Sequence, residues 1–291
     1  MAVGAGLADR QVTVVGLGLM GGSLAAALVG RRACAAVIGV ARRAEMAQEA
    51  LARGYVDRAS NDLAQGLRDA DLVVLAAPVR AILSLLPRVG QAAKPGAVVL
   101  DLGSTKRAVC QTMAALPPAL QPVGGHPMCG RERSGLQAAQ PELYQGAPFV
   151  LCPLERTAPW ALALAEELAE AVGARPLRLA ADRHDRLVGA VSHLPYLLAC
   201  GLVHQVMAVG QQDALAWEVA ASGFRDASRL ATSDETMMLD ILLTNRDAVL
   251  EMVRGAVGHL EAAAALLERG QEEALAQALA GAAEARRGWR P

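Results

Sequence analysis

The stretch Gln11-Val12-Thr13-Val14-Val15-Gly16-Leu17-Gly18-Leu19-Met20-Gly21 decides the fold of this chain. An apolar run typical of a buried strand leads into G-x-G-x-x-G, and a helical pattern follows. The first glycine of this motif permits a tight turn, the second lets the backbone approach a pyrophosphate, and the third allows close packing of helix on strand. The predicted cofactor contacts of the turn are Gly16, Gly18, Leu19, Met20 and Gly21. The alternative is a glycine-rich turn that binds no ligand.

Short apolar runs alternate with helical patterns through the first 180 residues. Several of these runs are apolar on both faces, as expected for strands covered by helices on either side. The predicted strands are Val12–Val15, Val37–Val40, Leu72–Ala76, Ala97–Asp101, Pro122–Gly124, Phe149–Cys152 and Pro176–Leu179. This alternation predicts an α/β Rossmann domain with a doubly wound, mostly parallel sheet over residues 1–180.

The strand pattern ends near Ala180, and residues 181–291 are predicted to form an all-α domain. The predicted helices are Leu187–Val209, Asp213–Ala221, Glu235–Leu267 and one near Glu272–Ala285. Pro195 is expected to kink the first of them, and Ser233 or Asp234 is expected to cap the long helix. Apolar residues repeat at a spacing of three to four along the long helix, which is too long for one small domain to cover. We therefore expect a homodimer formed through the helical domain, with the substrate site beside it.

Composition excludes several classes of function. The chain has 291 residues, 53% of them hydrophobic, with a mean hydropathy of +0.28. Its 28 basic and 29 acidic residues nearly cancel, so no nucleic-acid or membrane partner is expected. The five cysteines form no C-x-x-C pair, and no cluster has metal-ligand spacing, so we expect free thiols and no metal. Neither a signal peptide nor a spanning helix is expected, which favours a cytoplasmic protein.

The end of the second predicted strand bears on the choice of dinucleotide. NAD enzymes usually carry an acidic residue there, which binds the ribose 2′-hydroxyl. Here the strand is followed by Arg42 and Arg43, whose guanidinium groups suit a 2′-phosphate. We therefore predict NADP in preference to NAD. NAD stays possible, because both arginines could be solvated surface charges and Glu45 could reach the ribose.

The ends of two later strands predict the rest of the cofactor pocket. Ala77 and Pro78 follow the third predicted strand, where small residues leave room for the cofactor's ribose. Ser104 and Lys106 follow the next strand and are expected to flank the nicotinamide. Ser104 could also cap the following helix, and Lys106 could equally be a solvated lysine in its first turn.

Four sequence blocks carry a resemblance to a known family. They are Asp101-Leu-Gly-Ser-Thr-Lys106, Gly124-Gly-His-Pro-Met-Cys-Gly130, Ser192-His-Leu-Pro195 and Ser222-Gly-Phe-Arg-Asp-Ala-Ser-Arg229. In this order and roughly this spacing, they resemble the prephenate/arogenate dehydrogenase family of tyrosine biosynthesis over nearly the whole chain. The resemblance implies a Rossmann domain, a helical dimerisation domain and an active site in the cleft between them.

The resemblance also implies an oxidative decarboxylation of prephenate or L-arogenate. That chemistry requires an acceptor for the hydroxyl proton, cations for carboxylates and a dry nicotinamide pocket. His126 is the predicted acceptor, since a histidine is partly neutral near pH 7. By resemblance, His126 is the family's catalytic histidine, and Ser104 touches the substrate hydroxyl and orients this histidine. The Ser222-Gly-Phe-Arg-Asp226 block and the missing acid after the second strand resemble NADP-linked arogenate-type relatives, which tilts the prediction slightly towards arogenate with NADP.

The substrate contacts are predicted from the later blocks. His193 shares a helix face with Asp182 and Asp185, and the resemblance favours a substrate contact over simple packing. Arg225 and Arg229 stand four residues apart, so on a helix both could clamp a carboxylate, unless they form a surface pair with Asp226. By resemblance Arg229 holds the ring carboxylate. Glu132 is expected near the substrate side chain, either against the amino group of arogenate or in a gate with an arginine. His184, His204 and His259 have no motif around them and are interpreted as surface or core residues.

Two alternatives stay open on the sequence alone. One is another oxidoreductase with a Rossmann domain and helices, such as a β-hydroxyacid dehydrogenase or an imine reductase. The other is a non-catalytic NADP-binding regulator, for which His126 would be dispensable.

Overall fold

An eight-stranded sheet forms the first part of the chain in the computed structural model, which describes residues 6–130 and 133–289. Its strands lie in the order β3-β2-β1-β4-β5-β6-β7-β8. In chain order they are β1 Gln11–Val15, β2 Ala36–Val40, β3 Arg58–Ser60, β4 Leu72–Leu75, β5 Val98–Asp101, β6 Gln121–Pro127, β7 Pro148–Pro153 and β8 Arg175–Arg178.

The pairing of the strands confirms the predicted fold class. β1 to β6 are parallel to one another, in the strand order of a doubly wound dinucleotide-binding sheet. β7 runs antiparallel to β6, and β8 is parallel to β7. The sheet is therefore mostly parallel, with a reversal beyond β6. The strand β3 was not predicted, because it is only three residues long and includes the exposed Arg58.

Helices cover both faces of this sheet. They are α1 Leu19–Arg31, α2 Ala44–Ala52, α3 Leu63–Leu67, α4 Val79–Ala92, α5 Arg107–Ala114 and α6 Pro159–Ala171. Leu72 and Val74 of β4 pack into one core layer, whereas Val73 and Leu75 pack into the other. Successive side chains of a strand point to opposite faces, so a strand covered on both faces must be apolar throughout.

The helices after Ala180 are more interrupted than predicted. They are α7 Ala181–Val188, α8 Leu194–Gly210, α9 Leu215–Glu218, α10 Ser222–Ser228 and α11 Glu235–Thr244. A π-helical turn, Gly189–His193, joins α7 to α8, and Pro195 follows it in the first turn of α8. Proline is tolerated in a first turn, so the distortion lies before Pro195 rather than at it.

The predicted single helix Glu235–Leu267 was wrong in its continuity. Asp234 caps α11, since its side chain accepts a hydrogen bond of 2.7 Å from the backbone N–H of Met237. The helix ends at Thr244, and Asn245 leaves helical geometry with φ −117° and ψ 27°. One compact unit of the chain runs through Asn245. A second unit begins at Arg246 and contains α12 Arg246–Glu268 and α13 Glu272–Gly288.

Ala181–Gly210 is a long apolar stretch that comprises α7, the π-helical turn and α8. Among the described residues it is the one helical stretch with the length and composition to cross a membrane; its most apolar window has a mean hydropathy of 1.5 and is 22% buried. Its first turns carry Asp182, Asp185 and Arg186, and the imidazole of His193 is buried within the protein. Most of the apolar window is therefore exposed in the single chain, whereas the carboxylate of Asp185 binds the backbone N–H groups of Lys106 and Arg107.

Candidate active site

The glycine turn after β1 has the geometry of a dinucleotide site. Gly16 has φ +100°, and a Cβ there would lie 2.2 Å from the carbonyl oxygen of Ala76. A Cβ on Gly18 would meet no atom within 4 Å, so the space beside this residue is open. In α1, which the structure describes in full, the first turn carries no acidic side chain. The positive helix end and the open backbone therefore fit a pyrophosphate.

The residues expected around the rest of the cofactor lie at the ends of neighbouring strands. The backbone N–H of Gly16 donates to the carbonyl of Val40, which brings the end of β2 against the turn at 2.8 Å. Arg42 and Arg43 follow directly and are exposed, as is Glu45 in the first turn of α2. Ala77 is half-buried after β4, and Pro78 is the N-cap of α4.

His126 lies near the carboxyl end of β6, opposite Val150 of β7. Its strand is held to the end of β5 through Gly125, whose N–H donates to Asp101 Oδ1 at 3.0 Å. A Cβ on Gly125 would lie 2.4 Å from the carbonyl oxygen of Asp101, so only glycine permits this approach. Ser104 follows β5 and is half-buried. The sequence therefore places the imidazole and the hydroxyl at the same edge of the sheet.

Lys106 is buried beside His126, so the interpretation of it as a solvated lysine is wrong, whereas its place beside the nicotinamide stays a prediction. Its side chain is 0% exposed. Its ammonium donates to Asp101 Oδ2 in a short contact and to the carbonyl oxygen of Gly125 at 2.6 Å. The N–H of Gly103 also donates to Asp101 Oδ2, at 2.7 Å. The Lys106–Asp101 pair thus fixes the backbone immediately before His126.

A chain of hydrogen bonds leads away from His126. Its Nδ1 lies 2.8 Å from Nε2 of His184 in α7, 58 residues further along the chain. The Nδ1 of His184 lies 2.8 Å from Oδ1 of the adjacent Asp185. The two imidazoles meet edge to face, with ring centroids 5.0 Å apart. His184 and Asp185 are buried, whereas His126 is partly exposed.

The sequence analysis missed His184 and Asp185 as members of the site. The one sequence signal for them was an acidic residue, Asp185, directly after a histidine, His184, near the start of a helix. Nothing in the sequence, however, indicates that α7 reaches β6. His184 is indeed a core residue, as one of the two readings allowed, but it is a core residue in contact with His126.

Asp185 is held as a carboxylate by the first turn of α5. Burial alone would raise the pKa of Asp185, but hydrogen bonds from His184 and from the backbone N–H groups of Arg107 and Lys106 outweigh it and lower the pKa. The two backbone bonds measure 2.7 Å from Lys106 and 2.9 Å from Arg107. A helix N-terminus favours negative charge in the same way.

His126 is kept neutral by its surroundings. Burial lowers the pKa of His126 well below its ordinary value of 6.5, and His184, Lys106 and His193 act in the same direction. A neutral imidazole has one nitrogen that accepts a proton. Because Nδ1 contacts His184, the nitrogen left for a substrate is Nε2.

His193 is buried and is linked to Asp185 through the side chain of Asn245. Its side chain is 1% exposed, and its Nδ1 is 3.1 Å from Nδ2 of Asn245, which also donates to the carbonyl of Asp185 at 2.8 Å. Burial lowers the pKa of His193 to about 4, although Asp185 acts in the opposite direction. Asn245 thus links His193 to Asp185, and so to the hydrogen-bonded cluster that contains His126. Its substrate contact stays a prediction.

The two arginines of the predicted carboxylate clamp are both exposed in the single chain. Arg225 in α10 is exposed and pairs with Asp226 at 3.2 Å, and Arg229 begins the 3₁₀ turn that follows. Arg225 and Arg229 thus lie in two successive helical elements, and their role stays a prediction. Glu132 lies outside the described residues.

The five cysteines and the potential metal ligands are the next group of reactive side chains. All five cysteines lie within the described residues and are free. Burial raises the pKa of Cys34 and of Cys129 to about 11, so neither is a reactive thiolate near neutral pH. Across residues 6–130 and 133–289, no group of three His, Cys, Asp or Glu side chains could hold a metal ion.

Comparison with known proteins gives the family. Residues 24–177 match the nucleotide-binding domain of prephenate dehydrogenase, and residues 180–281 match its dimerization domain. The chain belongs to the prephenate dehydrogenase family. This is a family of oxidoreductases, so the resemblance drawn from the four sequence blocks is confirmed. The two matched domains favour this family over the alternatives of a β-hydroxyacid dehydrogenase or an imine reductase.

Individual relatives agree with the family assignment. The prephenate dehydrogenase of Bacillus subtilis (strain 168) is 34% identical over 82% of this chain, which spans 65% of that relative's length. The crystal structure of Synechocystis arogenate dehydrogenase has a TM-score of 0.85 at 32% identity, covering 95% of this chain and 98% of that one. The prephenate dehydrogenase of A. aeolicus, in complex with hydroxyphenyl propionate and NAD+, has a TM-score of 0.89 at 29% identity, covering 95% and 97%.

Proposed function

We propose that this prephenate dehydrogenase family member oxidatively decarboxylates prephenate or L-arogenate, with hydride transfer to NAD(P). The products would be 4-hydroxyphenylpyruvate or L-tyrosine. The observation that carries the proposal is the neutral, partly exposed His126 at the carboxyl end of β6, in the same sheet as a glycine turn open to a dinucleotide. Ligands of open α/β sheets bind at this end of the strands.

The proton acceptor in the proposed reaction is Nε2 of His126. It takes the hydroxyl proton of the substrate while the ring carbon becomes a ketone and the ring carboxylate leaves as CO2. Ser104 is proposed to donate a hydrogen bond to the same hydroxyl group. When bound, the oxidised nicotinamide supplies the hydride acceptor. An acid–base residue of this kind contributes about 10²-fold to 10⁴-fold in rate.

The substrate's carboxylates need cationic partners, and the proposed ones are Arg225 and Arg229. His193 is proposed to contact the substrate as a neutral imidazole, because burial lowers its pKa to about 4. Glu132 is proposed to lie beside the side chain of the substrate. The relatives include both a prephenate dehydrogenase and an arogenate dehydrogenase at similar identity. We favour arogenate slightly, on the arginines after β2. A direct comparison of kcat/KM for the two substrates tests this preference, and a higher value for prephenate would refute it.

NADP is the proposed cofactor. Arg42 and Arg43 are exposed beside the turn at Gly16, where two guanidinium groups can bind a 2′-phosphate. Replacing both arginines with alanine should raise KM for NADP by about 10-fold or more, since each charge-assisted bond contributes about 1.5–3 kcal/mol. KM for NAD should change little. Equal effects on both cofactors would contradict the assignment.

A homodimer is proposed to cover the apolar helical surface. Leu239 and Leu243 of α11 are 53% and 54% exposed, and Leu198 and Met207 of α8 are also exposed in the single chain. The match to a dimerization domain over residues 180–281 supports a second copy as the cover. We also propose that residues 1–180 form the dinucleotide-binding domain and residues 181–291 the helical domain. The protein is proposed to work in the cytoplasm, without a nucleic-acid or membrane partner.

A further inference from the structure

We propose that Asp185 and His184 are positioning residues that hold His126 in the tautomer with its proton on Nδ1. Nε2 of His126 is then free to accept a proton from the substrate. This inference rests on the proposed function, because it gives His126 the role of the base. It adds two residues whose side chains need not touch the substrate.

The argument starts at Asp185, which fixes the hydrogen on His184. The carboxylate accepts hydrogen bonds from the backbone N–H groups of Lys106 and Arg107 at 2.7 and 2.9 Å. An ionised carboxylate accepts hydrogen bonds and donates none. His184 Nδ1, at 2.8 Å from Asp185 Oδ1, must therefore carry a hydrogen.

The next contact passes this constraint to His126. A neutral His184 with its hydrogen on Nδ1 has a lone pair on Nε2. That atom lies 2.8 Å from His126 Nδ1, so with His184 neutral, as we propose, His126 is the donor. The neutral ring of His126 then carries its only hydrogen on Nδ1 and presents a lone pair at Nε2. The reverse tautomer would present an N–H where the reaction needs a base.

The other charged groups around the two rings do not supply this constraint. Lys106 donates to Asp101 and to the carbonyl of Gly125, and the Nδ1 of His193 contacts the amide of Asn245. At the outer end of α7, Asp182 pairs with Arg107 Nε at 2.6 Å. Asp185 is thus the acceptor that reaches His184, and through it His126.

Replacing Asp185 with asparagine tests the relay, and Asp182→Asn is the matched control. Asp182 lies one turn earlier in α7 on the exposed side, so its replacement should leave the tautomers unchanged. With asparagine at 185, an amide N–H₂ can face His184 and invert both tautomers. The nitrogen shifts of ¹⁵N-labelled histidine report each tautomer in the intact protein, and the chain has only five histidines to assign. The loss of signals in His126→Asn and His184→Asn identifies the two rings.

The expected result is a hydrogen on Nδ1 of His126 in the natural protein and on Nε2 in Asp185→Asn. We also expect kcat to fall by about 10²-fold to 10⁴-fold in Asp185→Asn, as loss of the correct tautomer does in catalytic triads. The Asp182→Asn protein should keep both properties. A hydrogen on Nε2 of His126 in the natural protein overturns the proposal, whether or not any variant folds. So does an Asp185→Asn protein that keeps both its tautomers and its kcat. Absence of turnover in the natural protein would refute the proposed function instead, because the nitrogen shifts do not depend on turnover.

Discussion

Replacement of Lys106 by methionine should destabilise the fold strongly. Methionine keeps the length of the side chain but removes the ammonium, which leaves the carboxylate of Asp101 buried with N–H donors from Gly103 and Gly125 alone. The bond from Lys106 to the carbonyl of Gly125 is lost as well. Removing one partner of a buried ion pair typically costs about 3–5 kcal/mol. The free energy of unfolding should fall by that amount, which is a large share of the roughly 5–15 kcal/mol typical of a domain.

The chain offers a matched control for this change. Lys94 and Lys106 are its only lysines. Lys94 also binds a carboxylate, Asp71 Oδ1 at 2.8 Å, but its side chain is 35% exposed. Lys94→Met should therefore cost no more than about 1 kcal/mol, as for a surface pair. The double variant Lys106→Met with Asp101→Asn should be more stable than Lys106→Met alone, because it leaves no uncompensated charge.

Urea unfolding of the four proteins at 25 °C measures these differences. A cost for Lys106→Met within about 1 kcal/mol of that for Lys94→Met would refute the reasoning. The pH dependence of kcat/KM, measured on Lys106→Met protein that folds, provides a second readout. Since Lys106 lowers the pKa of His126, its removal should raise that pKa and move the acid limb of kcat/KM to higher pH.

Three further predictions concern the cofactor turn, the pH dependence and the dimer. Gly16→Ala should unfold or strongly destabilise the protein, because a Cβ there lies 2.2 Å from a backbone oxygen. Gly18→Ala should keep the thermal midpoint but weaken dinucleotide binding by about 10-fold or more. Equal effects of the two variants on binding and on stability would contradict this prediction. Neutral His126 is the proposed active form, so kcat/KM should fall only as the pH drops below the lowered pKa of His126. At pH 6.5 kcat/KM should therefore keep more than half of its plateau value. If kcat/KM is already at half of its plateau at pH 6.5 or above, the prediction is wrong. Replacing Leu239 and Leu243 with glutamate should convert a dimer to a monomer in light scattering, and a natural protein that is monomeric at micromolar concentration would exclude the interface.

The sheet could be predicted because its strands are apolar on both faces and its cofactor turn has a fixed glycine spacing. Those patterns depend on neighbours along the chain. Strand β3 escaped prediction because pairing with β2 rather than its own composition defines it. The break at Asn245 escaped for a similar reason. Its side chain is buried and binds the carbonyl of Asp185 and the ring of His193. The spacing of apolar residues along a helix does not predict such contacts.

Part of the candidate site could be predicted in the same way. His126 lies at the carboxyl end of β6 and Ser104 follows the parallel neighbour β5, so topology alone brings them to one edge of the sheet. Lys106 could not be placed, because its burial depends on an acid five residues earlier pointing inward from β5. His184 and Asp185 lie on a helix that packs against α5, and their contact with His126 spans 58 residues.

The measurement that tests the central claim most directly is the absorbance of reduced cofactor formed by the purified protein. Prephenate and L-arogenate would each be offered with NADP and with NAD, alongside His126→Asn as the control. We predict turnover in at least one combination, highest with NADP, and a fall in kcat of about 10²-fold or more in the variant. No turnover in any of the four combinations, or unchanged turnover in His126→Asn, would contradict the proposed function.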